Sequence, residues 1–366
     1  MTANKKRAGH LFPWYVLFLC LVGFFIFTSA ALGLHGRDGA EFSRVVIKQL
    51  IILGASLLLA LATAHWPYAR WRRAAPVLLG TSLVLTALVF APHIGFSAGG
   101  ARRWLDLGFI SIQPSEFLKL TFVIYLASWL CERKDKLHTW SYGLAPFLLL
   151  VGVVSGLLLA QPDLGTLLIS FAAGLAMWIV AGGKWNHLAL ILLLTATMVM
   201  TMAYFKPYVR ERLTTFLNPN QDVRGASYQI NQSLVAIGSG GWFGRGFGQS
   251  VQKFDLLPEP IGDSLFAVAS EEFGFVGSVS VVIFFLVFAL WGLKIAAKTD
   301  DQFGRLLAVG IVILTTAGAM VNIGSMVGVL PVVGIPLSLF SHGGSALLSS
   351  LVGLGILVNI SRGHKS

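Results

Sequence analysis

The chain has 366 residues, of which 55% are hydrophobic and only 12% charged, and its formal net charge is +11. Soluble domains carry roughly 25% charged residues, so a water-soluble core is excluded. The apolar runs are continuous and about 20 residues long, which excludes the alternating strands of a β-barrel and requires helices that satisfy their own backbone in lipid. The basic residues sit in short clusters between these runs, so they read as topology signals and contacts to anionic membrane lipid, and no nucleic-acid partner is expected.

The N-terminus places Lys5, Lys6 and Arg7 before an apolar run from Pro13 to the small residues Ser29, Ala30 and Ala31. This resembles a signal peptide, but the run is long and many more follow, so an uncleaved first span is expected. In chain order the expected spans are about 13–34, 46–65, 75–92, 115–131, 143–160, 164–181, 187–205, 266–293, 304–325 and 338–360. Cys20 lies inside one run and Cys131 at the end of another. Neither has metal-ligand spacing and no disulfide is expected, so both read as packing residues.

Orientation follows from the short loops. One set holds Lys5, Lys6, Arg7, Arg70, Arg72, Arg73, Arg133, Lys134, Lys136, Lys184, Lys294, Lys298, Arg305, Arg362 and Lys365, about 15 basic residues; the other holds Arg37, Arg44, Arg102 and Arg103. Both termini are therefore expected in the cytoplasm. Between the seventh and eighth spans a loop of about residues 206–265 is too long for a connector. It contains Trp242, Phe243, Phe247 and Phe254 and a helical-looking stretch from Tyr228 to Ile237. It is expected to fold as an extracytoplasmic cap. The expected fold class is an all-α membrane protein of about ten transmembrane helices, one polytopic domain over 1–366 with that capping loop inside it.

Ionisable residues in or beside spans are costly and invite functional readings. Glu116 and Lys119 open the fourth span three residues apart, as a self-neutralising pair or as the polar wall of an outward cavity. Asp163, in the turn Gln161-Pro162-Asp163-Leu164-Gly165-Thr166, reads as a helix N-cap that can also face a cavity. Asp263 ends the capping loop behind Pro258, Glu259, Pro260 and Gly262. A cap or a catalytic base fits it equally, since a carboxylate partly desolvated at the membrane edge gains basicity. Glu271 and Glu272 follow and must point to different sides; interfacial solvation is the plain reading. Arg102 and Arg103, beside Trp104, suit phosphate or simple anchoring. The glycine-rich run 238–248 lacks the lysine of a P-loop and reads as a flexible or closely packed loop. His342, before Gly343 and Gly344, is a lone histidine with no zinc-ligand neighbours. Residue chemistry alone thus yields an outward polar cavity with a cap, compatible with a transporter or an enzyme.

Several blocks together resemble the SEDS family (shape, elongation, division and sporulation) of FtsW/RodA/SpoVE-type peptidoglycan glycosyltransferases. They are Gly100–Leu105 with Gln113–Lys119; Gln161–Thr166; Tyr228–Gln229 through Gly241; Leu257–Glu259 to Asp263; Glu271–Gly274; and Gly334–Leu337 with Ser341–Ser345. They run in family order from about residue 100 to 346. Asp263 matches the family's essential carboxylate. The neighbouring pattern departs, with Ile261-Gly262-Asp263-Ser264 where His-Thr-Asp-Phe is usual and Ser341-His342 where Ser-Tyr is usual. Gln252-Lys253-Phe254 and Asn359-Ile360-Ser361-Arg362 look closer to FtsW than to RodA.

The resemblance implies an inverting lipid II polymerase on the outer face of the bacterial cytoplasmic membrane, with undecaprenyl diphosphate as leaving group. Asp263 is the implied catalytic residue. Arg102, Arg103, Trp104, Glu116, Lys119, Asp163, Glu259, Ser341 and His342 are the implied substrate contacts. No cofactor is fixed by the sequence; a divalent cation, magnesium or manganese, could share the charge of the leaving group with the arginines. The implied partners are lipid II, the growing glycan strand, a class B penicillin-binding protein and the other divisome or elongasome proteins. The rival readings are a lipid II flippase or other transporter, and a non-catalytic scaffold.

Overall fold

The computed structural model describes residues 2–35, 39–92, 94–98, 101–106, 108, 111–218 and 227–363, without the side chains of 2–10, 35, 97 and 98. The side chains of Lys5, Lys6 and Arg7, and the residues Arg37, Gly100 and Lys365, all named in the expectations above, lie outside it. The elements, in order, are α1 (Thr2–His35), α2 (Gly39–His65), α3 (Ala69–Leu88), β1 (Gly95–Ala98), β2 (Ala101–Asp106), β3 (Ser111–Ile112), α4 (Pro114–Glu132), α5 (Ala145–Ala160), α6 (Leu164–Val180) and α7 (Trp185–Phe205). Then follow α8 (Pro207–Leu217), α9 (Tyr228–Ser239), α10 (Leu265–Ala297), α11 (Gln302–Met326) and α12 (Gly344–Arg362).

Each expected span coincides with one of α1–α7 and α10–α12. Among the described residues seven helical stretches are long and apolar enough to cross a membrane, and α6 is a shorter apolar helix. The remaining two carry their charges near their ends: Arg70, Arg72 and Arg73 at the start of α3, and Glu116 and Lys119 at the start of α4 with Glu132 at its close. The chain is a multi-pass helical membrane protein.

α4, α11 and α12 form the centre, and close approach there depends on glycine, as in other lipid-embedded bundles. A Cβ on Gly310 would meet Val123 and Met177, and one on Gly355 would meet the Ala60 carbonyl. α7 is the opposite case, with Ile191 its one buried residue. Two sets of contacts mark the two ends of the bundle. At one end Asn359 receives the Tyr68 amide and Arg72 lies 3.5 Å from Glu132. At the other, Arg103 reaches the Gln161 and Pro162 carbonyls, and the His342 amide donates to Ile261 O at 2.8 Å.

Three features differ from the sequence expectation. A three-stranded antiparallel sheet, β1-β2-β3, stands before α4, so the fold is not purely helical. Its strands hold six residues or fewer, too short to leave a periodic signal. The final helix begins at Gly344 rather than 338, because Pro331, Gly334 (φ +68°) and Pro336 keep residues 327–343 irregular. The eighth expected span is two helices that meet at Gly274, whose φ of 66° and ψ of −162° are not helical.

That break orphans backbone groups, which in an apolar setting must find partners. The glycine-rich loop supplies them. The amides of Phe275 and Val276 donate to the Gly241 and Trp242 carbonyls, and the amides of Arg245 and Gly246 donate to the Glu271 and Glu272 carbonyls. The contact is so close that a Cβ on Gly274 would stand 2.3 Å from the Gly244 nitrogen. Run 238–248 is therefore a packed loop, and the segment 206–264 that contains it also carries α8 and α9.

Candidate active site

Asp263 closes a turn that its own sequence tightens. The amides of Gly262 and Ser264 both donate to the Glu259 carbonyl, and Ser264 Oγ donates to Pro258 O at 2.7 Å. Asn322 of α11 then fixes the turn to the bundle. Its Nδ2 donates to the Asp263 carbonyl and to the Ile335 carbonyl, each at 2.7 Å. So the backbone of residue 263 is held on two sides. Its carboxylate has no hydrogen-bond or ion-pair partner among the described residues. Burial, reinforced by the Glu259 charge, pushes Asp263 up to about 6, against the opposing pull of Arg103 and Arg212.

Arg103 and Arg102 face opposite ways because they are neighbours on a strand. Arg103 turns inward, donating from Nε to Gln161 O at 3.1 Å and from Nη2 to Pro162 O. Arg102 is exposed on the other face, with half-buried Trp104 two residues on, paired to Phe96. Of this trio the structure brings only Arg103 toward Asp263. Asp163 caps α6, accepting the Thr166 amide at 3.2 Å, and also accepts from Ser115 Oγ at 2.9 Å. It is buried and its oxygens are engaged, so its role is to hold the turn that Arg103 grips.

Arg212, on α8, escaped the sequence reading. Its Nη2 and the Asp263 Oδ2 lie 3.8 and 3.4 Å from the point where a Gly334 Cβ would stand. A side chain at 334 would therefore intrude between them. Arg212 is also the one charged residue lining an apolar cavity of about 380 Å³ between α5, α6, α7 and α8, which includes Leu148, Phe171, Met198 and Val333. The carboxylate thus stands beside the mouth of a greasy chamber.

Glu116 and Lys119 form a buried ion pair, Nζ to Oε2 at 2.5 Å. They lie under the segment 335–341 and share a small polar recess with Ser341. Ser341 itself is committed, its Oγ accepting the Leu337 amide at 2.8 Å. His342 stacks on Phe27 with ring centroids 5.9 Å apart, and burial, then the Lys48 charge, lowers its pKa. Exposed Glu259 acts on Asp263 through its charge. Ser341 and His342 belong to the irregular 327–343 segment, and the others border it; its Gly334 backbone lies beside the Asp263 carboxylate.

Glu271 and Glu272 prove fully buried rather than solvated at an interface. Lys253 Nζ lies 2.7 Å from Glu272 Oε1 and also donates to the Ser29 carbonyl at 3.0 Å. Glu271 accepts from Ser250 Oγ at 2.6 Å and from the amides of Val251 and Gln252. The two adjacent carboxylates clamp loop 245–253 onto α1. Lys253, Arg212 and Asn322 were all missed as site or scaffold residues. Lys253 alone left a sequence signal, a lysine between apolar stretches with two later glutamates to answer it.

Fold and site together define a polytopic membrane protein with a carboxylate of raised pKa near an apolar cavity. The family model for FtsW/RodA/SpoVE, described as cell cycle protein, matches residues 10–366. The chain is 35% identical over 362 residues to "Stage V sporulation protein E" of Bacillus subtilis (strain 168), covering 99% of each. It is 38% identical to a "Probable peptidoglycan glycosyltransferase FtsW" of Trichlorobacter lovleyi over 90% of this chain and 86% of that one. Among solved structures, a chain from a peptidoglycan synthase complex superposes with a TM-score of 0.80 at 30% identity, covering 96% of both. The rod shape determining protein RodA of Thermus thermophilus superposes at 0.71 with 28% identity, covering 97% of both. This chain belongs to the FtsW/RodA/SpoVE family, the SEDS proteins.

Proposed function

We propose that this protein polymerises lipid II into glycan strands, with Asp263 as the general base. The single observation that carries the reading is the placement of that carboxylate. It is fixed through its backbone, free at its oxygens, half-buried, and adjacent to an apolar cavity. In the reaction the acceptor's sugar hydroxyl gives its proton to Asp263 as its oxygen attacks the donor's anomeric carbon. The bond from that carbon to the diphosphate oxygen breaks with inversion, and the polyprenyl diphosphate leaves with the electron pair. A base with a pKa near 6 is ionised at neutral pH yet stronger than an ordinary aspartate, which suits this task. The apolar cavity would hold a polyprenyl tail, and Arg103 would favour the departing diphosphate.

Among the described residues no three His, Cys, Asp or Glu side chains converge as a cation cage. No step is assigned to a protein-held metal. A divalent cation, magnesium or manganese, would bind on the substrate diphosphate and share its charge with the arginines.

The chain would cross the membrane ten times, with the segment of about 206–265 as an extracytoplasmic cap, a reading supported by the run of helices α1–α7 and α10–α12. The basic-rich end would be cytoplasmic, with both termini, and Asp263 would face outward from the bacterial inner membrane. The division branch is the one favoured, as FtsW names recur among the relatives. A class B penicillin-binding protein is the expected partner, supported by the likeness to a chain from a peptidoglycan synthase complex. The test is glycan formation from lipid II by the purified protein with that partner. Wild type makes polymer and Asp263→Ala makes none. Equal polymer from both would remove the base assignment, and translocation in vesicles without polymer would favour the transporter.

A further inference from the structure

We propose that Arg212 is the anchor for the diphosphate of the prenyl-linked donor, which makes the α5–α8 cavity the donor's tail site. The inference rests on the polymerase reading and assigns its substrate a place. A guanidinium out of water is costly unless an anion answers it. Arg212 Nη1 is buried and has no hydrogen-bond partner among the described residues. The charged and titratable groups around Arg212 are Arg103, Tyr208, Asp263 and Asp163. None of them answers it. Asp163 is spent on the α6 cap and Ser115. Asp263 makes no ion pair with Arg212, and Arg103 repels it.

The missing anion must fit between two guanidiniums, of which Arg103 is already steered by backbone carbonyls. A diphosphate suits such a pair, since each guanidinium can grip one phosphoryl group by paired N–H bonds. The same arginine lines an apolar chamber, so the anion should carry a long apolar tail. α7 is the outer wall, and with a single buried residue it separates the chamber from lipid by one helix. A tail longer than the chamber can leave beside it. Anchored there, the donor's diphosphate lies across Gly334 from Asp263, so the attacking hydroxyl and the leaving group are served by different side chains.

The experiment is equilibrium binding to the purified full chain in nanodiscs, which needs no turnover. The probes are undecaprenyl diphosphate and undecaprenol, which share a tail and differ in charge. Wild type should prefer the diphosphate by about tenfold or more. Arg212→Gln should lose most of that preference while binding undecaprenol as wild type does, which also shows that it is folded. Arg212→Lys should retain part of it, because it keeps the charge and loses the fork. An Arg212→Gln chain with the wild-type preference, or a wild type that does not distinguish the probes, would overturn the assignment. Asp263→Asn should keep the preference while losing polymerisation. If it keeps both, the base assignment fails and the diphosphate site stands.

Discussion

The raised pKa of Asp263 has two consequences of opposite sign. For catalysis the ionised form is the base, so polymerisation should rise with pH through about 6 and level off above it. Asp263→Asn should lower the rate by about 10²–10⁴-fold, the usual worth of general-base catalysis. For stability, a carboxylate whose folded pKa lies above its unfolded value is penalised when ionised. The penalty is absent below about pH 4, grows between 4 and 6, and is full above 6. Asp263→Asn should therefore raise the melting temperature at pH 7, by about 1–2 kcal/mol of stability once partial exposure is discounted, and leave it unchanged at pH 4. Melts of both proteins at the two pH values check this. The buried Glu116–Lys119 pair should behave asymmetrically. Lys119→Met leaves a buried carboxylate alone and should cost about 3–5 kcal/mol, whereas Glu116→Gln with Lys119→Met should cost much less. A double-mutant cycle read from thermal melts separates the two.

At the scale of elements, the loop–helix junction around Gly274 is the sharpest constraint. Any side chain there meets a positive φ and a 2.3 Å contact with the Gly244 nitrogen, a backbone atom. Gly274→Ala should lower stability by more than about 2 kcal/mol and loosen residues 240–254, which hydrogen exchange over those amides would register. The same loop hangs on Lys253 from the other side. Lys253→Met should strand Glu272 and release the loop from α1, and adding Glu272→Leu should restore much of the protection. Proteolysis across residues 244–256 reads both states. The break at Gly274 is not visible along the sequence, where the run 238–248 looks like an ordinary glycine-rich linker. The break matters because it separates the short buried helix that follows Asp263 from the membrane-length helix beyond it.

For the whole molecule, the two ends differ in charge, and this sets a test of sidedness. Single cysteines at positions 136 and 298 should be labelled only from the cytoplasmic face, and ones at 243 and 259 only from outside. Labelling of all four from one face would refute the orientation. The helical bundle was legible because lipid demands long apolar runs that close their own hydrogen bonds, a demand written residue by residue along the chain. Asp263 was legible only in part: its residue pattern fits a helix cap and a base equally, and the family resemblance is what singled it out. The small sheet, the helix break and the late start of α12 were not, because short strands and irregular turns are fixed by partners distant in sequence. The same holds within the site. Asn322 is set against residue 263 by the fold, and Arg212 looks like any charge on a short amphipathic helix until α8 carries it to the cavity mouth. Composition and pattern determined the membrane bundle and left Asp263 as one candidate carboxylate among several. Only tertiary structure decided which cation faces it, because burial and distance belong to pairs of residues and not to either one alone.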